Sequence, residues 1–158
     1  MSIRPIHADE TETVVALWAR AGLTRPWNDP YQDIAFARAT PTAEVLALAE
    51  EGALVGAVMV GHDGHRGTVY YLGVEPACAR SGRGRTLMAA AEDWLRTRGV
   101  WKMNILVRES NAPVLGFYEA LGYADQQCRV VGKRLDGRAD HTPRSEERRV
   151  GKECFLLC

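Results

Sequence analysis

Apolar residues recur along the chain with two different spacings, and each spacing predicts one kind of element. A spacing of three and four residues runs from Val14 to Ala21 and predicts a helix, with Asp9 as its N-cap and Gly22 as its end. The same criterion predicts three further helices, over residues 31–39, 82–98 and 112–121.

Shorter apolar runs bounded by turn residues predict strands. Glu44–Glu50 and Ala53–Val60 are separated only by Glu51-Gly52, which predicts a hairpin, although the first run also has high helix propensity. Further strands are predicted over residues 68–74, 103–107 and 127–133.

The pattern of apolar positions ends near Leu135. Residues 136–153 alternate between positive and negative charge with almost no apolar side chain, so this segment cannot offset the entropy of ordering. Its sequence also resembles a read-through end in assembled environmental sequences. We therefore predict one domain over residues 1–135 and a disordered, non-native tail over residues 136–158.

Composition narrows the class of protein. The 158 residues are 46% hydrophobic and 25% charged, which fits one globular domain. The net charge of +0 argues against a global basic field for nucleic acid or anionic membranes, and no apolar run approaches the ~20 residues of a membrane span. The start of the chain lacks the apolar stretch of a signal peptide, and no Cys-x-x-Cys pair is present. We expect a cytoplasmic monomer or homodimer that binds neither nucleic acid nor membranes.

A glycine-rich turn between a predicted strand and a predicted helix carries the clearest chemistry. Tyr71–Pro76 leads into Arg80–Arg85, where glycines let backbone N–H groups approach an anion and arginines add positive charge. A pyrophosphate fits this turn better than a lone carboxylate. The alternative is a plain loop with solvated arginines, because short glycine motifs also occur by chance. No Gly-Lys-Ser/Thr and no Gly-x-Gly-x-x-Gly is present.

Two motifs in this order resemble those of one enzyme superfamily. Residues 71–84 look like motif A of the GNAT superfamily of acetyl-CoA-dependent N-acetyltransferases, and residues 111–123 look like its motif B. More narrowly, residues 25–30, 63–67 and 70–74 resemble the small bacterial YpeA-type acetyltransferases. The resemblance spans roughly Ile3 to Leu135.

The resemblance implies an α/β fold with a mixed, mostly antiparallel central sheet and helices on both faces. It implies acetyl transfer from acetyl-CoA to a primary amine by direct attack in a ternary complex, without a metal. A GNAT-like domain that binds acyl-CoA as a sensor without catalysis is the alternative. The acceptor is either a small molecule, such as an aminoglycoside, or a peptide N-terminus or lysine.

The resemblance also implies which residues bind acetyl-CoA. The pantetheine arm would lie between the strand bearing Leu72–Val74 and the next strand, which carries Ile105–Val107. One departure concerns the turn, where the family has Gln or Arg at the position of Ala79, so that Arg80 comes one residue late. The predicted cofactor-binding residues are Leu72, Gly73, Val74, Arg80, Ser81, Gly82, Arg83, Gly84, Arg85 and Asn111.

Catalytic roles follow from the same resemblance. The backbone N–H near Val74 is the expected oxyanion donor, and Tyr118 is the expected general acid for the leaving thiolate. A tyrosine at this helical spacing can instead be a core residue. The candidate bases are Glu75, Asp63 and His65. His62 beside the last two also allows a metal site, but the ligands are crowded into one loop, which argues against it.

The proline-bounded segment after the first helix is the expected acceptor site. An aromatic ring in acidic company suits a cation-bearing substrate. The alternative is a rigid loop whose Trp27 packs on the core. The predicted substrate-binding residues are Arg25, Trp27, Asn28 and Asp29.

Overall fold

The computed structural model describes residues 1–139 of the chain, which divides into two units, residues 1–124 and residues 125–158. All helices and strands of the described residues lie in the first unit. The strands are β1 (Ser2–Pro5), β2 (Ala43–Glu50), β3 (Ala53–His62) and β4 (Gly67–Val74). The α-helices are α1 (Thr11–Arg20), α2 (Pro30–Arg38), α3 (Arg83–Arg96) and α4 (Leu115–Ala120).

The four strands form one antiparallel sheet in the order β1-β2-β3-β4. The predicted hairpin is confirmed: β2 and β3 are joined by Glu51 and Gly52, which both have positive φ angles, of 48° and 83°. Two successive positive φ angles give a turn whose twist matches that of the strands it joins. The hairpin therefore outweighs the helix propensity of the β2 sequence.

Helices cover both faces of this sheet, as the sequence predicted. Val45 and Ala47 of β2 face a first core cluster built on α1 and α2, whereas Leu46 and Leu48 face a second core cluster built on α3. Because β2 is covered on both sides, its apolar side chains do not alternate with polar ones. Trp18 of α1, with no exposed surface, is the largest fully buried side chain of the described residues.

The predicted cap of the first helix is wrong. A 3-10 turn over Ala8–Glu10 precedes α1, and Glu10 rather than Glu12 closes the capping box, by accepting a hydrogen bond of 2.7 Å from the His7 N–H. Arg4 holds the same carboxylate with two hydrogen bonds of 2.7 and 2.8 Å. The helical segment therefore begins with His7 as its N-cap, two residues before the predicted Asp9.

The predicted strand over residues 127–133 is also wrong, since none of these residues joins a ladder with another described residue. Gln127 has a positive φ of 53°, and Val130 and Val131 are 69% and 93% exposed. An extended segment is a strand only when a neighbour takes up its hydrogen bonds. Residues 140–158, most of the predicted tail, lie outside the described residues.

No helix in residues 1–139 is long and apolar enough to cross a membrane.

Candidate active site

The sheet opens at the outer edge of β4. Gly67 forms a single parallel bridge with Met103, in which its N–H donates to the Lys102 carbonyl and its carbonyl accepts from the Asn104 N–H, both at 2.9 Å. Beyond this bridge, residues 105–108 make no ladder with β4. The prediction of a regular strand over residues 103–107 is therefore wrong, whereas the expected divergence from β4 is present.

The backbone of β4 directs a donor into this opening. The Glu75 N–H donates to the Val55 carbonyl at 2.9 Å, and Val74 is opposite Gly56. Successive residues of an antiparallel strand point their N–H groups to opposite sides, so the Val74 N–H points away from β3. The predicted oxyanion donor thus lies on the unpaired edge of β4.

A β-bulge in the middle of β4 is a feature that the sequence analysis missed. The register changes from Ala57 opposite Gly73 to Met59 opposite Tyr70, which leaves one extra residue in β4. Tyr71 accommodates it with a φ of 53°. An extra residue of this kind places Tyr70 and Tyr71 on the same face of the sheet, although neighbours in a regular strand face opposite sides. No sequence feature marks the extra residue.

The glycine-rich turn leads directly into α3. Arg80 and Gly82 both have positive φ angles, of 58° and 82°, and the Ser81 hydroxyl donates to the Cys78 carbonyl. As at any helix start, the first N–H groups of α3 have no partner within the helix, so Arg83 and Gly84 present anion-binding backbone.

The arginines of this turn are not equivalent. Arg83 is bound by Glu50, at 2.6 Å between Nη2 and Oε2, and this guanidinium lowers the pKa of the Glu50 carboxyl. Arg80 and Arg85 are exposed. The ion pair joins the start of α3 to the end of β2, so two of the three predicted arginines remain to face an anion at the turn.

These features fit a bound acetyl-CoA molecule. The unpaired β4 edge can accept an amide-bearing arm as an additional strand, and the start of α3 can accept a pyrophosphate. A side chain at Gly84 would place its Cβ 3.4 Å from Phe117 Cζ, so the turn is closely covered by α4.

A cavity of about 1120 Å³ lies against the diverging edge. Its lining includes the predicted residues Leu72, Asn111 and Tyr118 together with Arg25 and Asn28 of the α1–α2 loop. The structure therefore brings residues from the predicted cofactor, acid and acceptor groups to one cavity. The turn over residues 80–85 does not line it.

Tyr118 packs against the core and lines the cavity at the same time. Its ring packs against the second core cluster and makes edge contacts with Phe117 and Tyr123, with centroids 5.1 and 5.9 Å away. Burial raises the pKa of its hydroxyl, which makes no hydrogen bond with another of the described residues. The hydroxyl thus carries its proton at neutral pH.

The candidate bases lie in less favourable surroundings. Arg20 forms an ion pair with Glu75 and lowers its pKa. Asp63 accepts hydrogen bonds from the N–H groups of Arg66 (2.7 Å) and His65 (2.8 Å), which lower the pKa of Asp63. His65 is exposed outside the cavity lining, and His62 Nδ1 accepts from the Gly64 N–H at 3.1 Å. Residues 1–139 hold no group of three or more potential metal ligands.

The predicted acceptor residues have distinct local roles. Asp29 caps α2 by accepting from the Tyr31 N–H at 3.0 Å, and Arg25 donates to two carbonyls of its own loop, both at 2.8 Å. Trp27 lies under the guanidinium of Arg108, 5.6 Å from its carbon to the ring centroid. Asn28 lines the cavity.

One cavity residue was not identified from the sequence. Asp33 on α2 accepts a hydrogen bond of 2.6 Å from the Tyr71 hydroxyl. Burial first, and then Asp33, raise the pKa of Tyr71. Only the bulge brings Tyr71 to Asp33, so sequence spacing alone gives no signal for this pair.

Comparison with known proteins identifies the family. The chain matches the model of the Acetyltransferase (GNAT) family over residues 10–123. An acetyltransferase of Yersinia pestis is 45% identical over 136 residues, which make up 85% of this chain and 96% of that protein. One from Pectobacterium atrosepticum is 43% identical with the same coverage.

Solved structures share the fold. The aminoglycoside 6'-N-acetyltransferase AAC(6')-Ig from Acinetobacter haemolyticus superposes with a TM-score of 0.71 at 18% identity, covering 89% of this chain and 100% of that one. The ribosomal-protein-S18-alanine N-acetyltransferase from Escherichia coli gives a TM-score of 0.66 at 25% identity, covering 77% and 76%. AAC(6')-Iy, solved with a CoA-based bisubstrate analogue, gives 0.71 at 19% identity, covering 84% and 96%. The chain accordingly belongs to the GNAT family of acetyltransferases and is an acyltransferase.

Proposed function

We propose that this acetyltransferase moves the acetyl group of acetyl-CoA to a primary amine by direct attack, with both substrates bound at the same time. The observation that carries the proposal is the unpaired edge of β4, where the Val74 N–H points toward residues that diverge after the Gly67–Met103 bridge. The cavity beside this edge has room for a second molecule.

Acetyl-CoA would lie along β4 and end at the start of α3. The β4 backbone at Leu72–Val74 and the side chain of Asn111 would hold the arm. The pyrophosphate would meet the α3 N–H groups at Gly82–Gly84, with Ser81 beside them. Arg80 and Arg85 would supply the positive charge opposite the phosphates, because Glu50 already binds the Arg83 guanidinium.

When bound, acetyl-CoA supplies a thioester whose carbonyl carbon an amine can attack. The Val74 N–H would donate to the carbonyl oxygen, on which negative charge grows during attack; a fixed donor of this kind is worth several kcal/mol, about 10²–10³ in rate. The Tyr118 hydroxyl would give a proton to the leaving sulfur, and its raised pKa keeps that proton in place until it is needed.

The attacking amine must first lose a proton. Among the proposed bases, Glu75 and Asp63 have lowered pKa values, which weaken them as bases, and His65 would act from outside the cavity lining. A carboxylate of this kind would act through water. No feature of residues 1–139 favours the alternative of a non-catalytic acyl-CoA sensor.

The acceptor is proposed to enter along the α1–α2 loop. Arg25, Trp27 and Asn28 would contact it, and Asp29 would hold the start of α2. The structural neighbours include an aminoglycoside 6'-N-acetyltransferase and a ribosomal-protein-S18-alanine N-acetyltransferase, so aminoglycosides and peptides both belong in a substrate screen. The relatives named above are bacterial, which supports a bacterial origin; the cytoplasmic location and the YpeA-type resemblance remain predictions.

A thiol-release assay tests this proposal. Wild-type protein with acetyl-CoA is screened against aminoglycosides, alkyl amines, diamines and peptides with free N-termini or lysines, and mass spectrometry detects a product heavier by one acetyl group. We expect acetyl-CoA turnover that depends on the amine. Product formation on oxygen acceptors only, or no amine-dependent turnover across the panel, would contradict N-acetyl transfer.

A further inference from the structure

Asp33 differs from most other half-buried carboxylates of the described residues. Four of them, Glu10, Glu50, Glu75 and Glu92, form ion pairs with arginine. Asp33 forms no ion pair with another residue among residues 1–139, and it lines the cavity. Glu44 also lacks an arginine partner but does not line the cavity. A carboxylate partly removed from water is stabilised by a cation, and a ligand in the cavity can supply one.

The carboxylate of Asp33 is also held in a fixed position. The Tyr71 hydroxyl donates to Oδ2 at 2.6 Å, and the Tyr71 ring stacks on buried Trp18 with centroids 4.4 Å apart and planes 14° apart. Oδ1 of Asp33 remains for a ligand, so the site is organised before anything binds.

The other charged groups of the cavity are engaged elsewhere. Arg25 donates to backbone carbonyls of its own loop, and Arg66 stacks on Trp101, 4.2 Å from the ring centroid. Asp63 accepts two backbone N–H groups of its turn. Arg108 lies over Trp27 and is the strongest competing site, because a carboxylate on the acceptor could bind it.

We propose that Asp33 binds a second, protonated amino group of the acceptor, so that diamines and longer polyamines are preferred over monoamines and amino acids. The inference rests on the proposed function, in which the reacting amine is neutral and lies near Val74. An ammonium at Asp33 must then belong to a different nitrogen of the same molecule. Val74 comes three positions after Tyr71, so the two backbone positions are on the order of 10 Å apart along β4, and the two nitrogens of the acceptor need a similar spacing.

Three acceptors of matched length test the inference in the wild-type protein with saturating acetyl-CoA, where turnover requires the reacting amine to lie near Val74. Hexamethylenediamine, n-hexylamine and ε-aminocaproate carry, at the end distant from the reacting amine, a cation, a methyl group and an anion. We expect kcat/KM for the diamine to be roughly 10- to 100-fold higher than for hexylamine, the range of a charge-assisted hydrogen bond, and lowest for aminocaproate. Equal kcat/KM for diamine and hexylamine would overturn the proposal. The highest kcat/KM for aminocaproate would overturn it in favour of Arg108.

Variants assign the effect to one side chain. Asp33→Asn, which keeps the shape and removes the charge, should abolish the diamine advantage in kcat/KM and leave kcat/KM for hexylamine unchanged. Asp9→Asn, the same change at an exposed residue outside the cavity, should keep the advantage. Tyr71→Phe should reduce it in part, because the charge remains but loses its fixed donor. A full diamine advantage in folded Asp33→Asn, with the melting temperature as the check on folding, would overturn the assignment.

Calorimetry of diamine binding without acetyl-CoA, in wild type and in Asp33→Asn, separates this inference from the proposed function. Asp33-dependent diamine binding without acetylation of any amine would refute N-acetyl transfer and leave the cation site standing. Acetylation of all three compounds with equal KM would uphold the transfer reaction and refute the cation site.

Discussion

At the scale of single residues, Tyr118 packs against the core and also lines the cavity in which we propose it acts as the general acid. One side of its ring packs with Phe117 and Tyr123, and the residue also lines the cavity. The packing fixes the hydroxyl, and the desolvation that comes with it raises the pKa. Both effects suit a group that must hold a proton at a defined place.

Tyr118→Phe is therefore predicted to lower turnover roughly 10²-fold, the low end for positioned acid catalysis, because a CoA thiol is fairly acidic by itself. Acetyl-CoA affinity should hardly change, since only the hydroxyl is lost. Pre-steady-state rates and calorimetry measure the two quantities separately.

Tyr123→Phe is the matched control. It removes a hydroxyl that donates to Glu92 at 2.6 Å, so it should cost about 1 kcal/mol of stability and leave turnover unchanged. Equal turnover in wild type and Tyr118→Phe, where chemistry limits the rate, would exclude the acid role.

The roles of individual residues could be predicted from sequence only where a motif fixed them. The motif context placed Tyr118, Asn111 and the glycine turn, and the structure brings the first two to one cavity. The ion-pair partner of Arg83 could not be predicted, because no nearby residue in the sequence indicates that Glu50, 33 residues away, binds it. Asp33 was missed for the same reason: its partner Tyr71 is 38 residues distant and reaches it through a bulge.

At the scale of elements, the start of α3 has two separate demands. In the proposed function it presents backbone N–H groups to the phosphates, and in the structure Gly84 lies against Phe117 of α4. Glycine suits the second demand because a Cβ at position 84 would already lie 3.4 Å from Phe117 Cζ.

Gly84→Glu is predicted to weaken acetyl-CoA binding strongly, by filling the turn and by adding a negative charge near the phosphates. Gly84→Gln has the same size without the charge, so the difference in affinity between the two variants measures electrostatics alone. Calorimetry gives the affinities, and circular dichroism checks folding. Unchanged affinity in a folded Gly84→Glu variant would refute a phosphate site at this turn.

The start of α1 depends on one ion pair. Hydrogen bonds from Arg4, with a smaller contribution from His7, lower the pKa of Glu10 from 4.5 to about 2. A carboxylate with a lower pKa in the folded state stabilises that state fully above pH 4.5, and the contribution is lost as the pH falls toward 2.

Glu10→Gln should accordingly destabilise the protein at pH 7, and the difference from wild type should shrink between pH 4.5 and pH 2. Urea midpoints at pH 7 and pH 3 measure it. Glu12→Gln, on an exposed residue of the same helix, should show neither effect. A wild-type advantage that is equal at both pH values would show that the carboxylate charge is not responsible.

Elements with strong internal patterns were predictable, whereas elements that depend on a neighbour were not. The hairpin turn is encoded in one short continuous stretch of sequence, and the apolar stripe of α3 is encoded in another. Both were predicted. Residues 103–107 and 127–133 have strand-like sequences, but the first segment pairs at only one residue and the second has no ladder partner among the described residues. Strand pairing involves two segments. The sequence of one segment does not show whether a second segment lies beside it and takes up its hydrogen bonds.

At the scale of the whole molecule, the first unit holds both core clusters and every proposed site residue. Among residues 125–139, the ion pairs of Asp136 with Arg134 and Arg138 are local and partly or largely exposed. Exposed ion pairs contribute little to stability. The predicted non-native tail is therefore testable by its removal.

A chain truncated after Asp136 is predicted to match the full chain in melting temperature and in turnover, since the residues removed have alternating charges and no apolar periodicity. Differential scanning calorimetry and the thiol-release assay measure the two quantities. A truncation after Tyr118, which removes Tyr123 and its hydrogen bond to Glu92, serves as the control that should lose stability. A clear loss of stability or turnover after Asp136 would show that the tail belongs to the protein.

The bulge in β4 has a consequence for how such a protein can evolve. The pairs before it, such as Met59 with Tyr70, and those after it, such as Ala57 with Gly73, differ in register by one residue. Deleting the single codon for Tyr71 would bring both sets into one continuous ladder and leave every other β4 side chain on its present face. Insertion of one codon at this place can therefore add a tyrosine that donates a hydrogen bond to Asp33 without a change in any other strand pair. Deletion of the same codon removes that tyrosine. With the proposed role of Asp33, the strength of the diamine preference would thus change in one genetic step while the fold is inherited unchanged.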